Sequence, residues 1–360
     1  MWSPLVPFPD LDQAAQMLIF DGHNDVLTEL FEAGGVAAAP TFGTGLSGHL
    51  DAESAALGGF GGGFFAIWVA SPGTIEFDGI DGAYDLPLPA EIAQEDAWRV
   101  ARDHVDILVE LQRLRALNLC RSVAEIEAAR QHGGIAAILH MEGAEAISDS
   151  LRELDWLYEQ GLRSLGPVWS RPNRFGHGVP FRYPSDGDTG PGLTAAGHVL
   201  VEKCNEMRVM VDLSHLNMAG VRDVAAISNA PLVATHSNAH AISPHARNLT
   251  DAQLMFIAKS GGVVGLNFES TFLRPDGQPN PDIPEAVVMA HLDHLLGAMG
   301  EEGVALGSDF DGCAPPLWLN GAEKLPALIA AMERHGYTGD RIERICWSNW
   351  MRVLRDTWGG

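Results

Sequence analysis

The sequence predicts an α/β fold, specifically a (β/α)8 barrel formed as a single domain over residues 1–360. Three observations lead there. Eight apolar, strand-like runs alternate with helical patterns or long loops, which is the signature of a parallel sheet closed by its eighth unit. Several of those runs end in a histidine, aspartate or glutamate, and barrel enzymes carry their chemistry at the carboxyl ends of their strands. A doubly wound open sheet is the alternative, but it calls for a glycine-rich phosphate turn after the first strand, and Gly22-His-Asn-Asp25 is not one.

The first run, Leu18 to Asp25, ends in the pair His23 and Asp25. Strand residues two apart face the same side, so the two side chains project together. Val26 to Leu30 begins a helix or loop, and Gly34 to Gly63, rich in Gly, Ala and Ser, reads as an irregular excursion. Phe64 to Ala70 is a buried strand, and after a Gly/Pro/Asp-rich loop to Pro89 a helix is expected over Ala90 to Leu117. The third strand, Ile135 to Glu142, ends in a carboxylate. A helix over Leu151 to Glu159 leads to the weaker strand Arg163 to Trp169 and a loop dense in Arg, Pro, Gly and His, Ser170 to Pro191. Helix Thr194 to Glu206 starts on a good N-cap, Thr194. Strand Val209 to His215, helix Met218 to Ile227, strand Pro231 to His236 and a helix ending at Lys259 follow. Strand Gly262 to Phe268, helix Glu285 to Met299 and strand Val304 to Asp309 complete the alternation, and helical segments Leu325 to His335 and Asp340 to Leu354 close the chain.

Taken in order, the strand ends supply His23, Asp25, Glu142, His215, His236 and Asp309. Singly, each has an ordinary reading as a hydrogen-bonded histidine or a helix-capping acid. At equivalent positions of different strands they form a site. Three donors come early in the chain and two histidines late, which suits two metal ions rather than one. A carboxylate can bridge two cations, and Glu142 lies between the groups. Asp309 has no evident place among the ligands and is assigned to proton transfer.

Composition narrows the chemistry. A formal net charge of −24 repels a polyphosphate backbone, so nucleic acid is not an expected partner. Cys120, Cys204, Cys313 and Cys346 are far apart and form no CxxC pair, which argues against a thiolate zinc site or a disulfide scaffold and fits a reducing compartment. No membrane span is visible, and Met1 to Asp10 lacks the basic start and apolar run of a secretory signal, so a cytoplasmic location is expected.

These residues resemble the renal (membrane) dipeptidases, a family of binuclear zinc barrel peptidases. The resemblance runs over nearly the whole chain and is carried by Asp21-Gly-His-Asn-Asp25, Met141-Glu-Gly143, Asp212-Leu-Ser-His215, Thr235-His-Ser237, Ala246-Arg-Asn248 and Gly307-Ser-Asp-Phe-Asp-Gly312. It implies a (β/α)8-type barrel of the metallo-dependent hydrolase type that hydrolyses dipeptides, often accepting a D-residue at the C-terminal position, by attack of a hydroxide bridging two Zn2+ ions. By position, His23, Asp25 and Glu142 resemble the ligands of one zinc, and Glu142, His215 and His236 those of the other. Asp309 resembles the catalytic acid/base and Arg247 the residue that holds the substrate carboxylate. Trp169 stands where mammalian members carry a substrate-contacting histidine, and His177, from the loop that follows, is the candidate replacement. The signal and anchor of the mammalian enzymes are not seen here. A binuclear amidohydrolase or lactonase acting on another small substrate keeps the same metals. A non-catalytic binding protein would have no need of Asp309. A dipeptide is the expected small-molecule partner, and a homodimer is the assembly considered.

Overall fold

In the computed structural model, residues 17–73, 77 and 79–359 are described. The N-terminal stretch Met1 to Asp10, read for a secretory signal, lies outside them. The eight expected strands are present as β1 (Ile19–Asn24), β2 (Phe60–Ile67), β3 (Ala136–Glu142), β4 (Leu162–Gly166), β5 (Met210–Val211), β6 (Val233–Ala234), β7 (Val263–Leu266) and β8 (Val304–Leu306). They pair in the order β5-β4-β3-β2-β1-β8-β7-β6, all parallel. A parallel bridge from Asp212 to Val233, with the Leu213 N–H donating to the Val233 carbonyl at 2.8 Å, joins the two ends of that order and closes the barrel.

Period-two alternation sorts the strand residues into two apolar layers. Ile19, Phe65, Leu139, Leu165, Val264 and Leu306 face the surrounding helices. Phe20, Phe64, Ile138, Met210, Val233, Val263 and Ala305 fill the barrel instead, together with Trp347 and Trp350 from the C-terminal segment. Trp347 meets Phe20 edge-on at 5.5 Å and Trp350 meets Phe64 at 5.1 Å, so the end where the strands begin is plugged by indoles. Apolar filling at that end leaves the polar strand ends clustered at the other.

The helices follow the sequence closely where capping chemistry is explicit. Thr194 caps the helix Ala195–Met207 by accepting from the Gly197 N–H at 3.1 Å, and the helices Met218–Ile227 and Glu285–Met299 span the expected residues. Several elements differ from expectation, among them the helix Ala52–Gly58 within the stretch read as irregular. Phe60 to Gly63, assigned to the irregular excursion, opens β2. Its glycines are there for proximity: a Cβ on Gly62 would lie 2.4 Å from the Ala136 carbonyl oxygen. The helix Val123–Gln131 was not anticipated, although Ser122 caps it by accepting from the Glu125 N–H, a serine-to-glutamate spacing typical of helix starts. Among the described residues no helix is long and apolar enough to cross a membrane.

Candidate metal centre

His23 lies inside β1, and Asp25 follows that strand as the N-cap of the helix Val26–Glu32. Its carboxylate makes no cap hydrogen bond and turns instead toward His23, with Oδ2 at 3.3 Å from Nε2. Glu142 ends β3. His215 and Asp309 stand just past β5 and β8 with φ of 66° and 63°, left-handed backbone that non-glycine residues adopt at a cost and that concentrates at functional sites. His236 follows β6. The barrel brings all of them together, and all are buried.

Glu142 stands between two groups. Its Oε1 lies 2.9 Å from His215 Nε2 and 3.2 Å from His236 Nε2, and those two nitrogens are 3.2 Å apart. Its Oε2 lies 3.7 Å from His23 Nε2. Ligands about 2.0–2.1 Å from a tetrahedral cation are separated by roughly 3.3 Å, so donor spacings of this size fit one. Nε2 of His23, the nitrogen that faces the cluster, and Oδ1 of Asp25 are buried without a hydrogen-bond partner, as expected of groups whose partner is an ion. Three overlapping sets could each hold a metal: His23, Asp25 and Glu142; Glu142, His215 and His236; and His23, His236 and Asp309.

The outer residues orient the rings. Thr235 donates its hydroxyl hydrogen to Asp212 Oδ2 at 2.6 Å, so toward His236 Nδ1, 2.8 Å away, it can only accept. Nδ1 of His236 therefore carries the proton, and Nε2 presents its lone pair to the centre. Ser170 Oγ holds Nδ1 of His215 at 2.8 Å.

The electrostatics separate the two halves. Burial, with Arg247 and His23 as nearby positive charges, holds His215 and His236 well below the usual histidine range, so both are neutral donors. Burial also disfavours the charged form of His23, but Glu142, Asp25 and Asp309 outweigh it and push its pKa up to about 10. Burial raises Glu142 to about 8 against the pull of His23, and it raises Asp309 as well. This half of the cluster draws positive charge, which a divalent cation supplies better than a proton.

Asp309 is half committed. Its Oδ2 accepts from Asn267 Nδ2 at 2.9 Å, while Oδ1 lies 4.0 Å from His23 Nε2. Gly312 makes room for this, since a Cβ there would sit 2.2 Å from Asp25 Oδ2 and 2.7 Å from Asp309 Oδ1. Asp25, Glu142, His215 and Asp309 open on a cavity of about 420 Å³, walled on one side by Trp68, Phe77, Trp169, Phe181 and Phe272. Arg247, 3% exposed, is not among the residues lining the cavity; its Cζ lies 5.7 Å from the ring of Phe272, which is. It donates through Nη1 to Ser237 Oγ (2.9 Å) and through Nη2 to the His236 carbonyl (2.8 Å), and its buried Nε has no partner.

The two candidates from the fourth strand and its loop part company. Trp169 is in the wall and tilts against His215 with ring centroids 5.7 Å apart. His177 is not among the lining residues; it sits in a short antiparallel pair, with Nδ1 3.2 Å from the Gly192 carbonyl. Asn267 escaped the sequence analysis although it stands just past β7, where the strand-end rule points. Asp212 and Thr235 belong to the motifs Asp212-Leu-Ser-His215 and Thr235-His-Ser237, but their relay to His236 depends on two strands meeting.

A closed parallel barrel whose strand ends gather histidines and carboxylates at an open cavity defines a class, the metallo-dependent hydrolase barrels. Its family is narrower. The model of the membrane dipeptidase family (Peptidase family M19) matches residues 12–358. A metallo peptidase from Rhodobacter sphaeroides, liganded with a phosphinate mimic of the dipeptide L-Ala-D-Ala, is 47% identical, with a TM-score of 0.92 over 96% of this chain and 100% of that one. The dipeptidase AC, a metallo peptidase of family M19, is also 47% identical, with a TM-score of 0.93 over the same shares. An uncharacterized protein in the pqqA 5′ region of Klebsiella pneumoniae is 46% identical over 242 residues, 67% of this chain and 89% of that protein. The chain belongs to the membrane dipeptidase family, and with it to the metallopeptidases.

Proposed function

We propose that this chain is a zinc-dependent dipeptidase that accepts a D-residue at the C-terminal position of its substrate. In this reading His23, Asp25 and Glu142 hold one zinc, and Glu142, His215 and His236 the other. The observation that carries it is the division of Glu142, with Oε1 facing the two late histidines and Oε2 facing His23. Bound there, two zinc ions would supply an activated water and polarise the scissile carbonyl. Acceptance of a D-residue is supported by the phosphinate dipeptide mimic bound to the 47% identical Rhodobacter relative.

The remaining work falls to the chain's own side chains. Asp309, with Oδ2 tied to Asn267, keeps Oδ1 free to take a proton from the attacking water and return it to the leaving amine. Arg247 holds the terminal carboxylate of the substrate with donors it does not spend on Ser237 and His236. In a dipeptide that carboxylate lies one residue past the scissile bond, whereas a longer peptide has a neutral amide there. Trp169 and the other aromatic residues of the wall give the substrate an apolar surface to lie against. With four free cysteines, three of them buried, the cytoplasm is the compartment we assign. Purified protein assayed against a dipeptide library of both C-terminal configurations, with and without zinc, tests the proposal. Zinc-dependent cleavage of dipeptides supports it, and activity confined to other amides or lactones overturns it.

A further inference from the structure

Beneath Trp169 lies an ion pair that the chemistry above does not use. Arg171 is fully buried and Glu145 nearly so. Arg171 Nε donates to Glu145 Oε1 at 2.9 Å, and Nη1 donates to Ser71 Oγ at 2.8 Å. Arg171 Nη2 and Glu145 Oε2 have no partner. Such a pair is a poor source of stability, because desolvating two charges offsets most of their attraction and apolar replacements do as well or better.

Its position suggests a different role. Glu145 follows Glu142 by three residues, just past β3, and Arg171 follows Trp169 by two, past β4. The guanidinium carbon of Arg171 lies 5.0 Å from the Trp169 ring centroid, and Trp169 in turn lies against the His215 ring. Ser170, between them, holds His215 Nδ1. His215 needs outside support more than His23 does. His23 is inside a six-residue strand, whereas His215 lies beyond the two-residue β5 on left-handed backbone.

We propose that the Arg171–Glu145 pair is a positioning device. It clamps the segment Trp169-Ser170-Arg171 to the turn after β3, and through Trp169 and Ser170 it fixes the ring of His215 so that Nε2 meets Glu142 Oε1. The pair touches neither substrate nor metal. The inference rests on His215 being a metal ligand, as proposed above.

Titration of metal-stripped protein with zinc against a chromophoric chelator, and with cobalt(II) followed by its visible absorption, tests it. Wild type first tests the underlying reading: fewer than two ions per chain means that the binuclear proposal fails and this inference falls with it. Given two ions, Arg171→Met should weaken one of them by about 10–100-fold, the usual effect of losing an outer-sphere partner, and leave the other at its wild-type Kd. The cobalt spectrum of the weakened site should change, and Arg171→Lys should restore part of the affinity. Should Arg171→Met not fold, Glu145→Gln carries the same test with little change of volume. Wild-type affinity for both ions with an unchanged cobalt spectrum, or an equal loss of both, overturns the positioning role.

Discussion

Replacing Asp309 by asparagine separates proton transfer from metal binding, and the structure sets what should happen. Asp309 sits at φ 63°, a region where asparagine is among the best-tolerated residues, so the backbone should not shift. Its Oδ2 receives the Asn267 amide at 2.9 Å; the amide oxygen of the new side chain can accept that same bond. The NH2 group then occupies the place of Oδ1, toward His23 and the cavity. Shape is kept and the proton acceptor is lost. Removal of a positioned acid/base costs roughly 10²–10⁴-fold in rate, about 2.7–5.4 kcal/mol at 1.36 kcal/mol per decade. Asp309→Asn should therefore lose that much kcat on a dipeptide with KM little changed, while elemental analysis finds wild-type zinc. Zinc loss in this variant would refute the assignment and place Asp309 among the ligands, as the set His23, His236 and Asp309 would allow.

The other predictions are briefer. If Arg247 holds the substrate carboxylate, C-terminal amidation of a good dipeptide should lower kcat/KM by about 10–200-fold, the worth of a charge-assisted bond of about 1.5–3 kcal/mol; equal rates for acid and amide would remove that role. The substrate change is the cleaner arm, because Arg247→Met also releases the His236 carbonyl. Glu142→Ala should disturb both metal sites, and a variant that still binds both ions at wild-type affinity would contradict the bridge. Trp350→Ala should cost about 3–5 kcal/mol in unfolding experiments, since the indole is fully buried in the barrel and its Nε1 donates to the Leu306 carbonyl. A cost under about 1 kcal/mol would mean that the barrel end tolerates the cavity.

Much of the site was legible in the sequence because its geometry is local to each strand. The apolar run before His23 marks the strand end at which His23 and Asp25 meet, although Asp25 leaves the strand as a helix N-cap, and an apolar run ending in Glu142 or His236 marks a strand end whatever the rest of the fold does. Caps such as Thr194 are legible for the same reason. His177 is a candidate in the sequence because its loop follows Trp169 directly, but its Nδ1 faces the Gly192 carbonyl and it does not line the cavity. The glycines of Phe60-Gly-Gly-Gly63 looked irregular because the neighbouring backbone that requires them lies far along the chain.

The sequence by itself determined the barrel's alternating elements, the residues at its strand ends and the family to which it belongs. Tertiary structure alone decided how those residues share their work. The division of Glu142's oxygens, the relay from Asp212 through Thr235 to His236, the tie between Asn267 and Asp309 and the burial of Arg171 against Glu145 all join residues from different strands or loops. Such contacts depend on register, twist and the closure of the ring at Asp212 and Val233. Side-chain direction is set within a few residues, but the distance between two strand ends is set by every strand between them.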